Sequence, residues 1–358
     1  MRRRERLDTF LDRTGLDAVW FARPNNFAWL TGGNNVVDEA GSVGVAAAGY
    51  TGDGLRVITN DIEAERLATE ELPDEAVVDS YPWHETDLPD ALAERSPAPA
   101  AADFDVPGFQ HVDASSLRQP LTEADVTRYR QLGRDTAAAV ETVCRDVEPD
   151  MTERAAAAAL RTELAARDVR PSVVLVGSET RAPKYRHYTP KSVDIGGYAL
   201  LSVTATRDGL SASLTRAVRF DAPAWYEERQ TAAARIATTA LAATRCVGSS
   251  DGSANQVFEH VQDAYARTGY AEEWRNHHQG GAAGFAGREW IATPKSDARV
   301  HLPMGYAWNP TVRGTKVEDT WLVTEEGFEC LTTGDVEREP ADAVGFDVSL
   351  EHAVAYDG

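Results

Sequence analysis

The sequence predicts an α/β (α+β) chain of two domains, residues 1–115 and 116–358. Three observations lead there. Residues 198–220, YALLSVTATRDGLSASLTRAVRF, read as two β-strands joined at Asp208-Gly209, a dipeptide suited to a tight hairpin because both central residues of that turn need positive φ. Residues 1–115 read as a smaller unit that mixes helices and strands. After it, the order helix, helix, strands occurs twice, which suggests two similar halves closing on one central sheet, with a crevice between them.

Each element has its own signal. A basic but amphipathic first helix (Leu7, Phe10, Leu11) precedes a strand at 18–22, AVWFA. PNNFAWLTG follows at 24–32, then a hairpin near Gly52-Asp53-Gly54 and a helix from Asp61 to Leu72. SPAPAAADFDVPG at 96–108 has the Pro and Ala content of a loop or an exposed edge. Thr122-Glu123-Ala124-Asp125 resembles a capping box opening a helix to about Arg145, and Thr152 opens a second to about Arg167. After the central hairpin a helix runs from about Ala222 to Cys246. Ser253-Ala254-Asn255-Gln256 caps another to about Thr268, and strands continue to about Thr333.

With Asp208-Gly209 as the turn, Arg207 pairs with Leu210, Thr204 with Ser213 and Ser202 with Thr215. Period-two alternation then puts Ser202, Thr204, Ser213 and Thr215 on one face. A polar stripe on a central hairpin is either a site or simply one wet side, and the pattern alone leaves both open.

Composition narrows the function. The 358 residues are 42% hydrophobic, ordinary for a globular protein, and carry a net charge of -21. Lysine occurs only at 184, 191, 295 and 316. An acid-rich, lysine-poor surface suits a halophilic protein kept hydrated in high salt, and it repels phosphate backbones, so no nucleic-acid partner is expected. All four lysines fall in two stretches that form the site proposed below, roughly a quarter of the chain. Cys144, Cys246 and Cys330 are odd in number and scattered, which argues against a disulfide framework and for a reducing cytoplasm. No apolar run is long enough to span a bilayer, and the N-terminus lacks the apolar core of a signal peptide. The expectation is a soluble cytoplasmic protein.

Two motifs are set aside. Gly248-Ser249-Ser250-Asp251-Gly252 matches the nucleophile-elbow pattern formally, but helices flank it on both sides, so it reads as an inter-helix loop. The run Gly280 to Gly287 fits neither a P-loop nor a dinucleotide fingerprint. Three other stretches matter. Arg186-His187-Tyr188-Thr189-Pro190 precedes the central hairpin; His277-His278-Gln279-Gly280 opens the glycine run that ends at Gly287-Arg288-Glu289. Asn309-Pro310 leads to Gly314-Thr315-Lys316-Val317-Glu318-Asp319-Thr320 and the strand WLVT. Taken singly, each reads as a loop histidine, a flexible turn and a hairpin. Their order makes them specific.

In that order the chain resembles the creatinase, aminopeptidase P, prolidase and methionine aminopeptidase family, with its pita-bread fold. PNNFAWLTG looks like the creatinase-type N-terminal domain, and residues 116–145 like the first helix of the catalytic domain. His187 with Pro190 fits the His-x-x-Pro motif. LLSVTATRDGLSASLTR matches the hairpin ending in Asp-Ile-Thr-Arg in relatives, and KVEDTWLVTEEGFECLT the final Glu-bearing hairpin. The Gly-Arg-Glu is most like creatinase.

Metallopeptidases of this family hold two divalent cations with two Asp, one His and two Glu. Carried over, the Asp positions fall on Ser202 and Ser213, the His on His277 or His278, and the Glu positions on Asn309 and Glu318. Four ligand carboxylates have become one. Paired hard or borderline ions need anionic oxygens, so no metal cofactor is expected beyond at most one weakly bound divalent ion.

The resemblance therefore implies three readings. The first is a metal-independent hydrolase of a C–N bond in a small polar substrate, creatinase-like or ectoine-hydrolase-like. His187 would be its general base or acid, and Glu318 would bind a cationic or amide group or shuttle a proton. His277 or His278 would position substrate, and Ser202, Ser213, Asn309, Lys316 and Glu289 would complete the binding set. The second is a non-catalytic protein that binds a ligand or a protein. The third is a metal-dependent Xaa-Pro aminopeptidase. A small-molecule or short-peptide substrate and a homodimer are the partners the family implies.

Overall fold

Trp20 is completely buried, as are its strand neighbours Ala18, Val19 and Phe21, because that strand runs inside a sheet covered on both faces. The computed structural model describes residues 3–358, and the chain divides into two compact units, Met1–Thr122 and Glu123–Gly358. The first comprises α1 (Arg3–Thr14), β1 (Ala18–Phe21), α2 (Pro24–Thr31), β2 (Ala46–Tyr50), β3 (Leu55–Asn60), α3 (Ala64–Arg66), β4 (Val77–Tyr81), α4 (Leu88–Arg95), β5 (Ala100–Ala102), β6 (Gln110–His111) and α5 (Ser115–Arg118). Its six strands lie in the order β4-β3-β2-β1-β5-β6. Leu88, Ala91 and Leu92 of α4 pack on one face with Trp20, and Phe27 and Leu67 pack on the other with Ala46 and Ala48.

Two expectations fail here. Ala100–Ala102 is a buried strand between β1 and β6, not a loop or an exposed edge. Three alanines are too small and too short a run to show alternation, yet their smallness suits a crowded interior position. The helix expected over 61–72 is only α3 followed by a π-helical turn, Leu67–Glu71.

The second unit comprises α6 (Glu123–Asp146), α7 (Glu153–Ala165), β7 (Arg170–Ser178), β8 (Tyr198–Arg207), β9 (Leu210–Arg219), α8 (Tyr226–Gly248), α9 (Ala254–Arg267), β10 (Gly280–Ala283), β11 (Met304–Trp308), β12 (Thr311–Val312), β13 (Thr315–Lys316), β14 (Asp319–Val323), β15 (Phe328–Cys330), β16 (Arg338–Asp342), β17 (Ser349–Ala353) and β18 (Tyr356–Asp357). Helix, helix, strands does occur twice. The halves form two four-stranded sheets, β18-β9-β8-β7 and β10-β11-β14-β15, rather than one continuous sheet. They meet along β9, where Ser213 N donates to Thr320 Oγ1 at 2.8 Å and Thr215 N to the Glu318 carbonyl at 2.9 Å.

The central hairpin has the expected register: Arg207 opposes Leu210, Thr204 opposes Ser213 and Ser202 opposes Thr215. Asp208 and Gly209 take φ of 51° and 75°, as a two-residue turn of this hand requires. Thr152 caps α7 and Ser253 opens α9 with a capping box; Gly248 to Gly252 joins two helices. The Arg216 guanidinium is fully buried and donates to Asp319 (2.9 Å), Glu141 (3.2 Å) and the Thr332 carbonyl (2.7 Å), tying α6, β9 and β14 together. The three cysteines are free, and among the described residues no helix is long and apolar enough to cross a membrane.

Candidate functional site

Strand pairing places four hydroxyls side by side. Ser202 Oγ lies 2.8 Å from Thr215 Oγ1 and 3.0 Å from Tyr188 Oη, and the Thr215 hydroxyl donates to Glu318 Oε2 at 2.9 Å. A carboxylate only accepts, so the direction of the chain follows. Thr215 spends its one proton on Glu318, Ser202 donates to Thr215, and Tyr188 donates to Ser202. Nearby, Thr204 and Ser213 hydroxyls are 2.9 Å apart.

Glu318 arrives from the turn between β13 and β14 and is 5% exposed. Two cations hold it. Lys316 Nζ is 2.6 Å from Oε2 and an Arg288 Nη is 2.9 Å from Oε1. Burial alone would raise the Glu318 carboxyl, but Lys316, then Arg288, outweigh it and hold the group at about 2. The other Arg288 Nη reaches Ser213 Oγ at 3.3 Å and the Gly287 carbonyl at 2.6 Å.

Three histidines complete the site. His187 comes from the loop before β8, and His277 and His278 follow the 3-10 turn Glu273–Asn276. Their ligating nitrogens lie within 4.8 Å of one another, and the Nε2 atoms of His187 and His277 are 3.3 Å apart. His277 and His278 stack with ring centroids 4.3 Å apart, so both adjoin His187. Burial, then Lys316, pulls His277 down to about 2; burial, then Arg288, pulls His278 to about 4. Both are neutral at neutral pH.

His187, His277, His278, Ser202, Ser213, Lys316 and Glu318 are thus brought together. Asn309 lies between β11 and β12, 2% exposed, its side-chain oxygen unpartnered among the described residues. Glu289 Oε1 accepts from Ala286 N at 3.1 Å, and its neighbour Arg288 reaches the cluster. Sequence reading passed over Arg288, although it stood within the Gly-Arg-Glu motif.

The donor set does not fit two divalent ions. Ser202 is committed to a chain of hydroxyls, Ser213 is neutral and faces a guanidinium, Asn309 is neutral, and the remaining carboxylate is already paired with two cations. The three imidazoles are the only group among the described residues with the composition and spacing to hold a single ion. Metal-bound histidines ordinarily donate their second nitrogen to a carboxylate or carbonyl. The buried Nδ1 atoms of His277 and His278 have no such partner among the described residues.

The sequence matches two family patterns, the Creatinase/Prolidase N-terminal domain over residues 3–135 and Metallopeptidase family M24 over residues 127–325. None of the curated proteins matches the chain. Among solved structures it resembles the prolidase from Pyrococcus horikoshii OT3, with TM-score 0.73 and 18% identity over 93% of this chain and 98% of that one. It resembles the X-Pro aminopeptidase from Thermotoga maritima MSB8 with TM-score 0.72 and 16% identity, over 96% of this chain and 100% of that one. The N-terminal domain of FACT complex subunit SPT16 from Cicer arietinum superposes with TM-score 0.64 and 13% identity, over 92% and 96%. At such identities the likeness shows the pita-bread architecture and its creatinase-type N-terminal domain, not the activity. The M24 pattern, which spans more than half of the sequence, shows that this chain belongs to metallopeptidase family M24.

Proposed function

We propose that the protein hydrolyses a C–N bond in a small polar substrate without the dinuclear metal centre its ligand positions imply. One observation carries this reading: Lys316 and Arg288 sit on Glu318 at 2.6 and 2.9 Å, so internal cations satisfy the one retained carboxylate. The chemistry left is proton transfer and hydrogen bonding. His187, exposed at the edge of the histidine cluster, takes a proton from water as the water oxygen bonds to the carbon. The C–N bond then breaks, and the proton passes to the leaving nitrogen. Arg288 and Lys316 stabilise negative charge developing on the reacting oxygen. Neutral His277 and His278 offer hydrogen bonds rather than charge.

Purified protein incubated with Mn, Co or Zn and then assayed for metal tests the premise. Two tightly held ions per chain, with chelator-sensitive cleavage of Xaa-Pro peptides, would make it a conventional metal-dependent aminopeptidase. Turnover of creatine-like or ectoine-like compounds that persists in chelator and is lost in His187→Ala is the expected result, a drop of ~10²-fold or more for removal of a general base. A second reading is a binding protein without catalysis. The low basicity of His277 and His278 favours it, since neither can serve as a strong base. Ligand binding with no turnover in wild type would establish it.

A further inference from the structure

His187, His277 and His278 bring three imidazoles from two loops to one place, and the rest of the protein engages few of their nitrogens. The ligating nitrogens lie within 4.8 Å of one another. Among the described residues, the one side-chain hydrogen bond any of the three makes is the 3.3 Å contact between His187 Nε2 and His277 Nε2. Two imidazoles on one tetrahedral zinc ion, at Zn–N of about 2.0–2.1 Å, hold their nitrogens about 3.3–3.4 Å apart. One edge of such a site is thus already at its length, and the third nitrogen has at most about 1.5 Å to close. Both loops are anchored. Arg186, next to His187, pairs with Glu273 at 2.9 Å, and Glu273 opens the 3-10 turn that leads to His277. Gln279 donates to the carbonyls of Trp274 (3.2 Å) and His277 (2.6 Å) and accepts from Tyr265 Oη (2.6 Å). His187 is exposed, which leaves a way in. Lys316 and Arg288 oppose a cation nearby, but both are paired with Glu318, which offsets part of their charge.

We propose that the three histidines form a mononuclear three-nitrogen site for one exchangeable ion of the zinc class. It shares one histidine with the ligand positions carried over from the family and none of the four that held carboxylates, Ser202, Ser213, Asn309 and Glu318. Imidazole suits zinc, copper and nickel, whereas magnesium and manganese favour oxygen. His277 Nδ1, the nitrogen turned away from His187, has no partner among the described residues. The ion therefore lacks the outer hydrogen bond that tightens a resident metal, and it exchanges. While it is bound, the His187 lone pair cannot also take a proton, so the ion inhibits the hydrolysis proposed above. That consequence rests on the hydrolase reading; the site itself does not.

Untagged protein, stripped with chelator and titrated with zinc in a calorimeter, should bind one ion per chain, at least ~100-fold more tightly than magnesium. Cobalt(II) in the same place, with three nitrogens and a water, should show the strong visible absorption of a four-coordinate ion rather than the weak bands of the aqueous one. His187→Ala and His278→Ala should each weaken zinc by more than ~10-fold, the least that disturbing even a partner of a metal ligand costs. Ser202→Ala/Ser213→Ala should leave zinc affinity unchanged. Near-UV circular dichroism checks that each variant is folded, and the cobalt spectrum needs no variant. No saturable zinc binding, two ions per chain, six-coordinate cobalt, or a loss in the serine variant equal to that in the histidine variants would overturn the inference. Zinc that binds as expected while no C–N substrate turns over leaves the inference standing and removes the hydrolase reading. Chelator-resistant turnover by a protein that holds no zinc does the reverse.

Discussion

At the scale of single residues, the identity of a metal-ligand position matters less than what surrounds it. Ser213 faces Arg288 at 3.3 Å, and Ser202 donates a hydrogen bond to Thr215, which donates to Glu318. Putting carboxylates back, with the double variant Ser202→Asp/Ser213→Asp, should therefore not rebuild a two-ion centre. The new carboxylate at 213 is taken by Arg288, and the one at 202 is buried close to Glu318, where like charges repel. Titration with manganese should show no pair of tightly bound ions, and thermal unfolding should come earlier, by ~1–3 kcal/mol of lost stability. Two ions held per chain would show that the internal cations are displaceable and the charge reading wrong. That His187, His277, His278 and Glu318 lie close together was legible because each stands in a motif of fixed spacing. Arg288 was not, because it lies in an irregular loop after β10, where no period says whether it or Glu289 turns inward.

At the scale of elements, legibility followed the strength of the local signal. Asp208-Gly209 fixed a register that then placed every hydroxyl on the hairpin. The glycine run, read as a flexible turn, contains the buried strand β10. A Cβ at Gly280 would lie 2.2 Å from the Ala307 carbonyl oxygen, and one at Gly281 2.2 Å from that of Trp290, so these glycines serve close backbone approach. The hairpin β16–β17 carries little apolar alternation and went unread.

That hairpin still contributes to stability through His352, which is 3% exposed and has Nε2 2.8 Å from the Thr238 hydroxyl of α8. Burial lowers its pKa to about 4, against ~6.5 in an unfolded chain. Its folded pKa is the depressed one, so the stabilising contribution is complete above about 6.5 and is lost as pH falls toward 4, where the unfolded state gains a proton that the folded state refuses. The slope is ~1.4 kcal/mol per pH unit within that window. Denaturant midpoints at pH 7, 5.5 and 4.5 should decline more steeply for wild type than for His352→Gln. Parallel declines would place the acid sensitivity elsewhere.

At the scale of the whole molecule, a net charge of -21 sets the response to salt. Three of the four lysines, Lys184, Lys191 and Lys295, are exposed, while the fourth, Lys316, is committed to Glu318 inside the site. The surface thus has few ammonium groups to offset its carboxylates, and the folded state holds those carboxylates closer together than the unfolded chain does. Two opposing effects follow. Salt weakens surface ion pairs such as Arg130–Glu329, at 2.7 Å with both side chains 40% exposed, but exposed pairs are each worth only ~0–1 kcal/mol. It also screens the repulsion among all the unpaired acids, the Debye length shrinking from ~10 Å at 0.1 M to ~3 Å at 1 M. With acids outnumbering bases 57 to 36, the second effect dominates. The thermal midpoint should rise by several degrees, about 1–2 kcal/mol of stability, between 0.1 and 1 M KCl. Choline chloride at equal ionic strength should do nearly the same, since screening does not distinguish cations. A midpoint that falls with salt would mean that the ion pairs, not the excess acid, govern this surface.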